Sequence, residues 1–254
     1  MSVDAPARLD VPAADPVLPG AVDVACELPA QVTAVAATPE AVAAALDGFA
    51  DLDAEERETL AGFRDPADAD LYLVTHVALR RLVALRLRTV PAEVAFDRAP
   101  CAGCQLPHGR PVLAGAPAGG PFFSISHSRG LDDPGIALVA VASAPVGVDV
   151  EARADHVAGD GLDDLIACLH PSEQASLRRL PPSRRPTAFL DCWVRKEAYL
   201  KATGRGLALG VSAFRVGLGP AYGEPVVVDS GPPAWPIEAL AVPDGVPAAL
   251  CVRR

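Results

Sequence analysis

The sequence contains almost no lysine. Lys196 and Lys201 are the only two lysines, although lysine and arginine together number 22 in 254 residues. Arginine carries a wide planar fork, whereas lysine carries a compact ammonium group on a flexible stem. Two lysines kept five positions apart therefore indicate sites that only an ammonium group fits. The alternative is that two ordinary surface lysines survive there by chance.

Three further absences exclude classes of protein. No apolar run reaches the roughly 18 residues that a membrane-spanning helix needs, and the first residues lack the basic and apolar regions of a secretory signal. The net charge of −10 argues against a nucleic-acid binder, which needs a basic surface. We therefore expect a cytoplasmic protein that binds neither membranes nor nucleic acids, with its six cysteines reduced.

The order of hydrophobic patterns predicts an α+β protein with two consecutive halves. Residues 1–20, rich in Ala, Asp and Pro, are expected to form a flexible arm, followed by halves at 21–143 and 144–254. Each half runs strand, helices, long helix and strands, which hints at two similar subdomains. Helices are predicted at 40–49, 53–63, 69–87, 161–169, 172–180 and 187–203. Strands are predicted at 30–37, 122–126, 136–142, 146–151, 214–216, 226–228, 237–241 and 248–252.

Two acidic side chains on one strand are the first candidates for chemistry. Asp149 and Glu151 alternate along a predicted strand, so both lie on the same face. Paired carboxylates repel each other unless a positive charge lies between them, and Mg²⁺ prefers such oxygen ligands. Glu197 and Lys201 share a face of the predicted long helix. Joined to the first pair, they would form a three-carboxylate metal site with ammonium groups beside it. A solvent-facing strand end and an exposed salt bridge are the alternatives.

Three other motifs leave their interpretation open. The segment 122–128 ends in Ser126-His127-Ser128, which offers hydroxyl groups and an imidazole to an anion; a Ser-His-Asp hydrolase would need a nucleophile elbow that this chain lacks. Cys101, Cys104 and His108 could bind zinc, but without a second cysteine pair we favour reduced structural thiols. The arginine-rich run 178–185 is either a local basic patch or a solvated turn.

Four motifs follow one another along the chain. They are Gly109-Arg110-Pro111, Phe123-Ser124-Ile125-Ser126-His127-Ser128, Gly147-Val148-Asp149-Val150-Glu151 and Trp193-x-x-Lys196-Glu197-x-x-x-Lys201. Taken in this order, they resemble the motifs of the surfactin-type 4′-phosphopantetheinyl transferases. The ordered series covers roughly residues 53–214, which makes it far more specific than any one motif.

The resemblance implies a fold, a reaction and a set of site residues. The fold would be a pseudo-dimer of two α+β halves, with coenzyme A and Mg²⁺ in the cleft between them and the chain often monomeric. The enzyme would transfer the 4′-phosphopantetheine arm of coenzyme A to a serine of an apo acyl or peptidyl carrier protein of polyketide, nonribosomal-peptide or fatty-acid synthesis, and release 3′,5′-ADP. Mg²⁺ would be held by Asp149, Glu151 and Glu197. Coenzyme A would be contacted by Arg110, Ser126, His127, Lys196 and Lys201. Glu197 and Lys201 would be the catalytic residues.

One segment departs from the family pattern. Relatives carry several basic residues around the start of the first long helix, where they grip coenzyme A. This chain keeps Arg57 and Arg64 there but places Glu56, Thr59 and Leu71 at other positions where lysine or arginine is common. Two other functions therefore stay open: a protein that binds coenzyme A or a carrier protein without turnover, and a metal-dependent phosphohydrolase using the same three acids.

Overall fold

The computed structural model describes residues 17–101, 103–115, 120–130, 133–152, 157, 161–206, 210–226, 228 and 234–253. These residues form a mixed structure of helices and antiparallel strands. The helices are α1 (Pro39–Asp47), α2 (Ala54–Ala61), α3 (Pro66–Leu87), α4 (Leu162–Ala167), α5 (Pro171–Arg179) and α6 (Arg185–Thr203). The strands are β1 (Val22–Val24), β2 (Ala30–Ala36), β3 (Phe96–Arg98), β4 (Pro111–Leu113), β5 (Phe122–Ser128), β6 (Ile136–Ala142), β7 (Val146–Val150), β8 (Ile237–Ala239) and β9 (Ala248–Val252).

The first sheet has the strand order β1-β2-β6-β5 and is covered on one face by α3. The Asp65 carboxylate accepts a hydrogen bond from the Ala67 N–H at the start of α3, and Pro66 occupies the first turn. Val74, Val77 and other apolar side chains of α3 are fully buried in this core. The helix therefore fixes the position of the sheet that carries the serine and histidine motif.

The second sheet has the order β7-β9-β8 and is covered by α6. Gly204 ends α6 in the left-handed conformation, with φ of 68°. The helix backbone lies directly on β7 at Gly147, where an added Cβ atom would stand 2.0 Å from the Ala198 carbonyl oxygen and 2.4 Å from the Ala202 nitrogen. Only glycine allows this approach, which brings Lys201 and the acidic strand together.

The two sheets share a third core. The faces turned away from α3 and α6 contribute mostly valine, alanine and leucine, among them Val32 and Leu138 from the first sheet and Val148 and Leu250 from the second. Valine and alanine, whose side chains are small, supply most of this layer. The result is four layers in the order helix, sheet, sheet, helix.

A row of serines joins the two sheets along β5 and β7. The hydroxyl oxygens of Ser124, Ser126 and Ser128 accept hydrogen bonds from the backbone N–H groups of residues 148, 150 and 152, at 3.1, 3.3 and 3.0 Å. We call this row the serine seam. Side-chain hydroxyls here do what carbonyl groups do in a regular sheet, and they hold the acidic strand beside the serine motif.

Most predicted elements are confirmed with small differences in their bounds. All six predicted helices are present, as are the strands predicted at 30–37, 122–126, 136–142, 146–151, 237–241 and 248–252. The strand predicted at 214–216 is reduced to a single bridge residue, Arg215. The Val216 and Gly217 N–H groups donate to the Glu173 carboxylate and not to a neighbouring strand. Three-residue strands β1, β3 and β4 were not predicted.

Two predictions fall partly outside the described residues. Residue 227 of the strand predicted at 226–228 is not among them, and neither are residues 1–16 of the expected arm. Val17 and Leu18 are buried in the first core, so that end of the predicted arm is wrong. Among the described residues, no helix is both long and apolar enough to cross a membrane.

Candidate active site

Asp149 is the centre of a group of acidic side chains at the seam. It lies on β7 and is 4% exposed. Its Oδ1 atom accepts hydrogen bonds from the Ser126 hydroxyl at 2.8 Å and from the Lys201 ammonium at 2.7 Å. Its Oδ2 atom is buried with no hydrogen-bond partner among the described residues. A buried, unpartnered carboxylate oxygen is costly, and a cation would satisfy it.

Glu151 and Glu197 place two more carboxylates near Asp149. Burial raises the pKa of all three acids, and repulsion from Asp149 raises the pKa values of Glu151 and Glu197 further. Lys201 opposes the shift in each case. Ionising all three acids therefore costs free energy that one ammonium group does not offset, and a bound cation would lower this cost. This donor set of oxygen atoms suits Mg²⁺.

The three acids do not yet surround a single point. Their oxygen atoms do not all lie within 4.8 Å of one another. Asp149 is fixed by Lys201 and Ser126, and Glu151 accepts a hydrogen bond from the Ser128 hydroxyl at 3.1 Å. Glu197 is half-buried and no described residue donates a hydrogen bond to it. Rotation of the two longer glutamate side chains would close the group on one cation.

The Lys201 ammonium links the two sheets at this point. Besides Asp149, it donates to the carbonyl oxygens of Ile125 on β5, at 3.3 Å, and Val148 on β7, at 3.1 Å. Its side chain is 31% exposed. Three converging acceptors match the three donors of an ammonium group, so this position fits the prediction that only lysine is accepted there.

Similarity to known proteins agrees with this site. The profile of the 4′-phosphopantetheinyl transferase superfamily matches residues 145–251, which include all three acids and both lysines. The chain is 32% identical over 177 residues to the 4′-phosphopantetheinyl transferase HetI of Nostoc, covering 68% of this chain and 67% of that protein. This chain belongs to the 4′-phosphopantetheinyl transferase superfamily. The resemblance found in its motifs is therefore confirmed.

Two further relatives show the same extent of similarity. A 4′-phosphopantetheinyl transferase of Bacillus subtilis is 29% identical over 171 residues, which is 67% of this chain and 68% of that protein. A Synechocystis protein named as a candidate member of the family is 27% identical over 161 residues, or 63% of this chain and 60% of its own length. The similarity therefore reaches well beyond the acidic strand and the lysine helix.

Lys196 is not part of the acidic group, although a role at phosphate oxygens was predicted for it. Its side chain is fully buried, with the Nζ atom 2.8 Å from the Glu173 carboxylate. It also donates to the carbonyl oxygens of Val211 at 2.8 Å and Phe214 at 2.5 Å. The buried position of Lys196 therefore also requires a compact ammonium group. Its contacts with the Val211 and Phe214 carbonyl oxygens hold the segment that follows α6 in place.

Ser126 and His127 lie on opposite faces of β5. The Ser126 hydroxyl is buried and gives its hydrogen to Asp149, so it holds the acid in place and has no hydrogen left for a phosphate. His127 is exposed on the other face. Desolvation by the surrounding protein lowers its pKa, and the charges of His76 and Lys201 lower it further. Its neutral ring retains one N–H donor for an anion.

Arg110 connects the loop before β4 with the end of α6. Its Nη1 atom donates to the carbonyl oxygens of Lys201 at 3.3 Å and Ala202 at 3.0 Å. These carbonyls belong to the last turn of the helix, where a positive charge is stabilising. The geometry thus gives this arginine a helix-capping role beside its predicted place near coenzyme A.

Sequence reasoning missed a cavity of about 450 Å³ beside the site, between α2, α3 and the strands β3 and β5. Its walls include the aromatic rings of Tyr72 and Phe123 and the acids Asp53 and Glu56. Glu56, noted above for replacing a basic residue, binds Arg80 at 2.6 Å and His76 at 2.8 Å. Four acids outnumber Arg98 and His76 on the walls, so the cavity suits an uncharged group better than a phosphate.

Proposed function

We propose that this protein transfers the 4′-phosphopantetheine arm of coenzyme A to a serine of an acyl or peptidyl carrier protein, with Mg²⁺ and with release of 3′,5′-ADP. The observation that carries the proposal is the buried, unpartnered Oδ2 atom of Asp149, in a carboxylate that Lys201 contacts and that interacts electrostatically with Glu151 and Glu197. Membership of the transferase family agrees with it.

Each residue of the site has a defined task in this reaction. Asp149, Glu151 and Glu197 would hold Mg²⁺, which when bound neutralises and orients the diphosphate of coenzyme A. Lys201, which lies beside Asp149, would neutralise the leaving oxygen, and it would protonate this oxygen only on giving up one of its three protein acceptors. Glu197, directly or through a water molecule, would take the proton of the incoming serine hydroxyl. His127 would donate to the 3′-phosphate.

The proposal extends to the architecture. We take residues 21–143 and 144–254 as the two halves of a pseudo-dimer with the reaction in the cleft between them. The serine seam supports this, since Ser126 lies in the first half and Asp149 in the second. The cavity of about 450 Å³ beside Ile125 would accept an uncharged part of coenzyme A.

Mass spectrometry of an apo carrier protein tests the function. The carrier is incubated with the enzyme, coenzyme A and Mg²⁺, and transfer adds a covalent group of about 340 Da to it. An unmodified carrier with hydrolysed coenzyme A would instead show the phosphohydrolase. If neither substrate changed, the protein would be a binding protein without turnover.

We expect Lys201→Arg to lower kcat by about 100-fold or more, although the charge is kept. A planar guanidinium group does not match three acceptors converging on one point. It is also too basic to give a proton to a leaving oxygen. Steady-state rates of carrier modification measure the effect.

A Lys201→Met variant separates geometry from charge. If the compact ammonium group is needed, the Arg and Met variants should be similarly slow while both keep a folded circular dichroism spectrum. An Arg variant with nearly normal kcat would refute the role assigned to Lys201.

The arginine-rich run 178–185 contains both structural and exposed side chains. Arg185 donates to the carbonyl oxygens of Leu180 and Arg178, and Arg184 stacks over the Tyr222 ring and donates to the Ala221 carbonyl. Arg178 and Arg179 are exposed. They donate to the side chains of Gln174 and Ser176 and not to backbone carbonyl groups, so we take these two as the candidates for guiding an acidic carrier protein.

We expect Arg178→Glu to raise KM for an acidic carrier protein several-fold and to leave KM for coenzyme A unchanged. The effect should shrink with added salt, because exposed charges are screened beyond about 8 Å at physiological ionic strength. Arg253→Glu, another exposed arginine, is the control. If wild type and Arg178→Glu had equal KM values for the carrier protein, the arginine-rich run would be a solvated turn without a docking role.

A further inference from the structure

A second group of metal-binding side chains lies away from the three acids. The Sγ atoms of Cys101 and Cys104 and a ring nitrogen of His108 all lie within 4.8 Å of one another. They are the only three such side chains to meet this closely in the described part of the chain. Cys104 Sγ and His108 Nε2 are 2.8 Å apart. The sequence favoured separate reduced thiols here, and the fold instead brings the three together.

The loop between β3 and β4 is built to make this approach. The Cys101 carbonyl accepts a hydrogen bond from the Gln105 N–H at 2.9 Å, and the Cys101 N–H donates to the Leu106 carbonyl at 2.8 Å. Gln105, directly after the second cysteine, has φ of 64°, a left-handed conformation that is uncommon for a residue other than glycine. The turn folds Cys104 back towards Cys101.

The base of the loop is equally tight. The N–H of Gly109 donates to the Ala99 carbonyl at 2.8 Å, and the Ala99 N–H donates to the Arg110 carbonyl at 3.0 Å. A Cβ atom on Gly109 would lie 2.5 Å from the Ala99 oxygen. His108 is therefore held at a fixed place beside the two cysteines.

The chemistry of these ligands differs from that of the acidic site. Two thiolates and an imidazole prefer Zn²⁺, whereas Mg²⁺ prefers oxygen. In a tetrahedral zinc site sulfur and nitrogen ligands lie about 3.5 Å apart, so the 2.8 Å contact needs only a small opening.

We propose that Cys101, Cys104 and His108 bind one Zn²⁺ ion, with solvent or a further ligand in the fourth position. The ion is structural and independent of the proposed transfer reaction. It fixes the β3–β4 loop, whose last residue, Arg110, caps the end of α6 at Lys201 and Ala202. The zinc site therefore braces the helix that carries Lys201 from outside the acidic group.

Metal binding by the full-length chain tests this directly and does not depend on activity. Protein purified under reducing conditions is stripped of metal and titrated with Zn²⁺ against a chromophoric chelator, and Co²⁺ serves as the spectroscopic probe. We expect one Zn²⁺ per chain and a thiolate-to-cobalt charge-transfer band. Cys104→Ser and His108→Ala should weaken the apparent affinity by about 100-fold or more.

Two controls separate this site from other binding. Cys168→Ser removes another exposed thiol, and Asp149→Asn removes a ligand of the acidic site, so both should bind Zn²⁺ as the wild type does. Zinc should also slow alkylation of Cys104 by about tenfold or more, while Cys168 in the same sample reacts unchanged. This second readout needs no variant of the loop.

Three outcomes would overturn the proposal. The first is equal Zn²⁺ affinity in wild type and Cys104→Ser. The second is a Cys168→Ser variant that loses the ion. The third is a reduced wild-type protein that takes up no Zn²⁺ and forms a Cys101–Cys104 disulfide on exposure to air.

Discussion

Replacing Asp149 with asparagine should lower the rate of carrier modification by about 100-fold or more while the protein stays folded. The amide oxygen still accepts the hydrogen bonds from Lys201 and Ser126 that the Oδ1 atom accepts now. The Oδ2 atom becomes an NH₂ group, which cannot bind a cation. Charge and metal affinity are lost, and the local structure is kept.

Thermal unfolding in the presence and absence of Mg²⁺ gives a second measure of the same change. A ligand that binds only the folded state raises the melting temperature. Mg²⁺ should therefore stabilise the wild type and have little effect on Asp149→Asn. Asp163→Asn, at an exposed position on α4, is the control and should behave as the wild type. If Mg²⁺ raised the melting temperatures of Asp149→Asn and of the wild type equally, the assignment of Asp149 as a metal ligand would be wrong.

Gly147→Ala should lower the melting temperature by about 10 °C, a destabilisation of about 3 kcal/mol in a protein of this size. The added methyl group would stand 2.0 Å from the Ala198 carbonyl oxygen and 3.0 Å from the Lys201 Cβ atom. Both neighbours belong to α6, whose backbone has to move away from β7. The movement also separates Lys201 from Asp149, so residual activity should fall as well.

Gly161→Ala is the matched control for this substitution. Gly161 has φ of −79°, and an added Cβ atom would meet nothing within 4 Å. Its melting temperature should stay close to that of the wild type in differential scanning calorimetry. If Gly147→Ala and Gly161→Ala had the same melting temperature, α6 would not lie as close to β7 as described.

The sequence predicts the long elements of this fold well because their signals are local. Residues 136–142 form an unbroken apolar run and become the buried strand β6. Asp53 and Glu56, three positions apart, form a capping box at the start of α2, which is a local sequence pattern. The three-residue strands β3 and β4 carry too few residues to show a period. They pair because hydrogen bonds at the base of the intervening loop, between Ala99 and residues 109 and 110, bring the two strands together.

The candidate site is predictable in its residue types and less so in its contacts. Alternation along β7 correctly puts Asp149 and Glu151 together, and helical spacing puts Lys201 with Glu197. The sequence does not show which carboxylate meets which lysine. Glu173 lies 23 positions before Lys196 and pairs with it in the core. The contact between Ser126 and Asp149 was not predictable either, because the pattern of one strand does not show which strand of the other sheet lies next to it.

The serine seam links the geometry of the proposed active site to the docking of the two sheets. Asp149 accepts the hydrogen bond from the Ser126 hydroxyl only when the two sheets are docked, because the two residues belong to different sheets. In an undocked chain the acids would lose this donor, and Lys201 would keep Asp149 but lose its contact with the Ile125 carbonyl oxygen. Cation affinity and sheet docking are therefore thermodynamically linked. A change that loosens the junction of the sheets should therefore weaken Mg²⁺ binding at the proposed site, and Mg²⁺ binding should stabilise the junction in return.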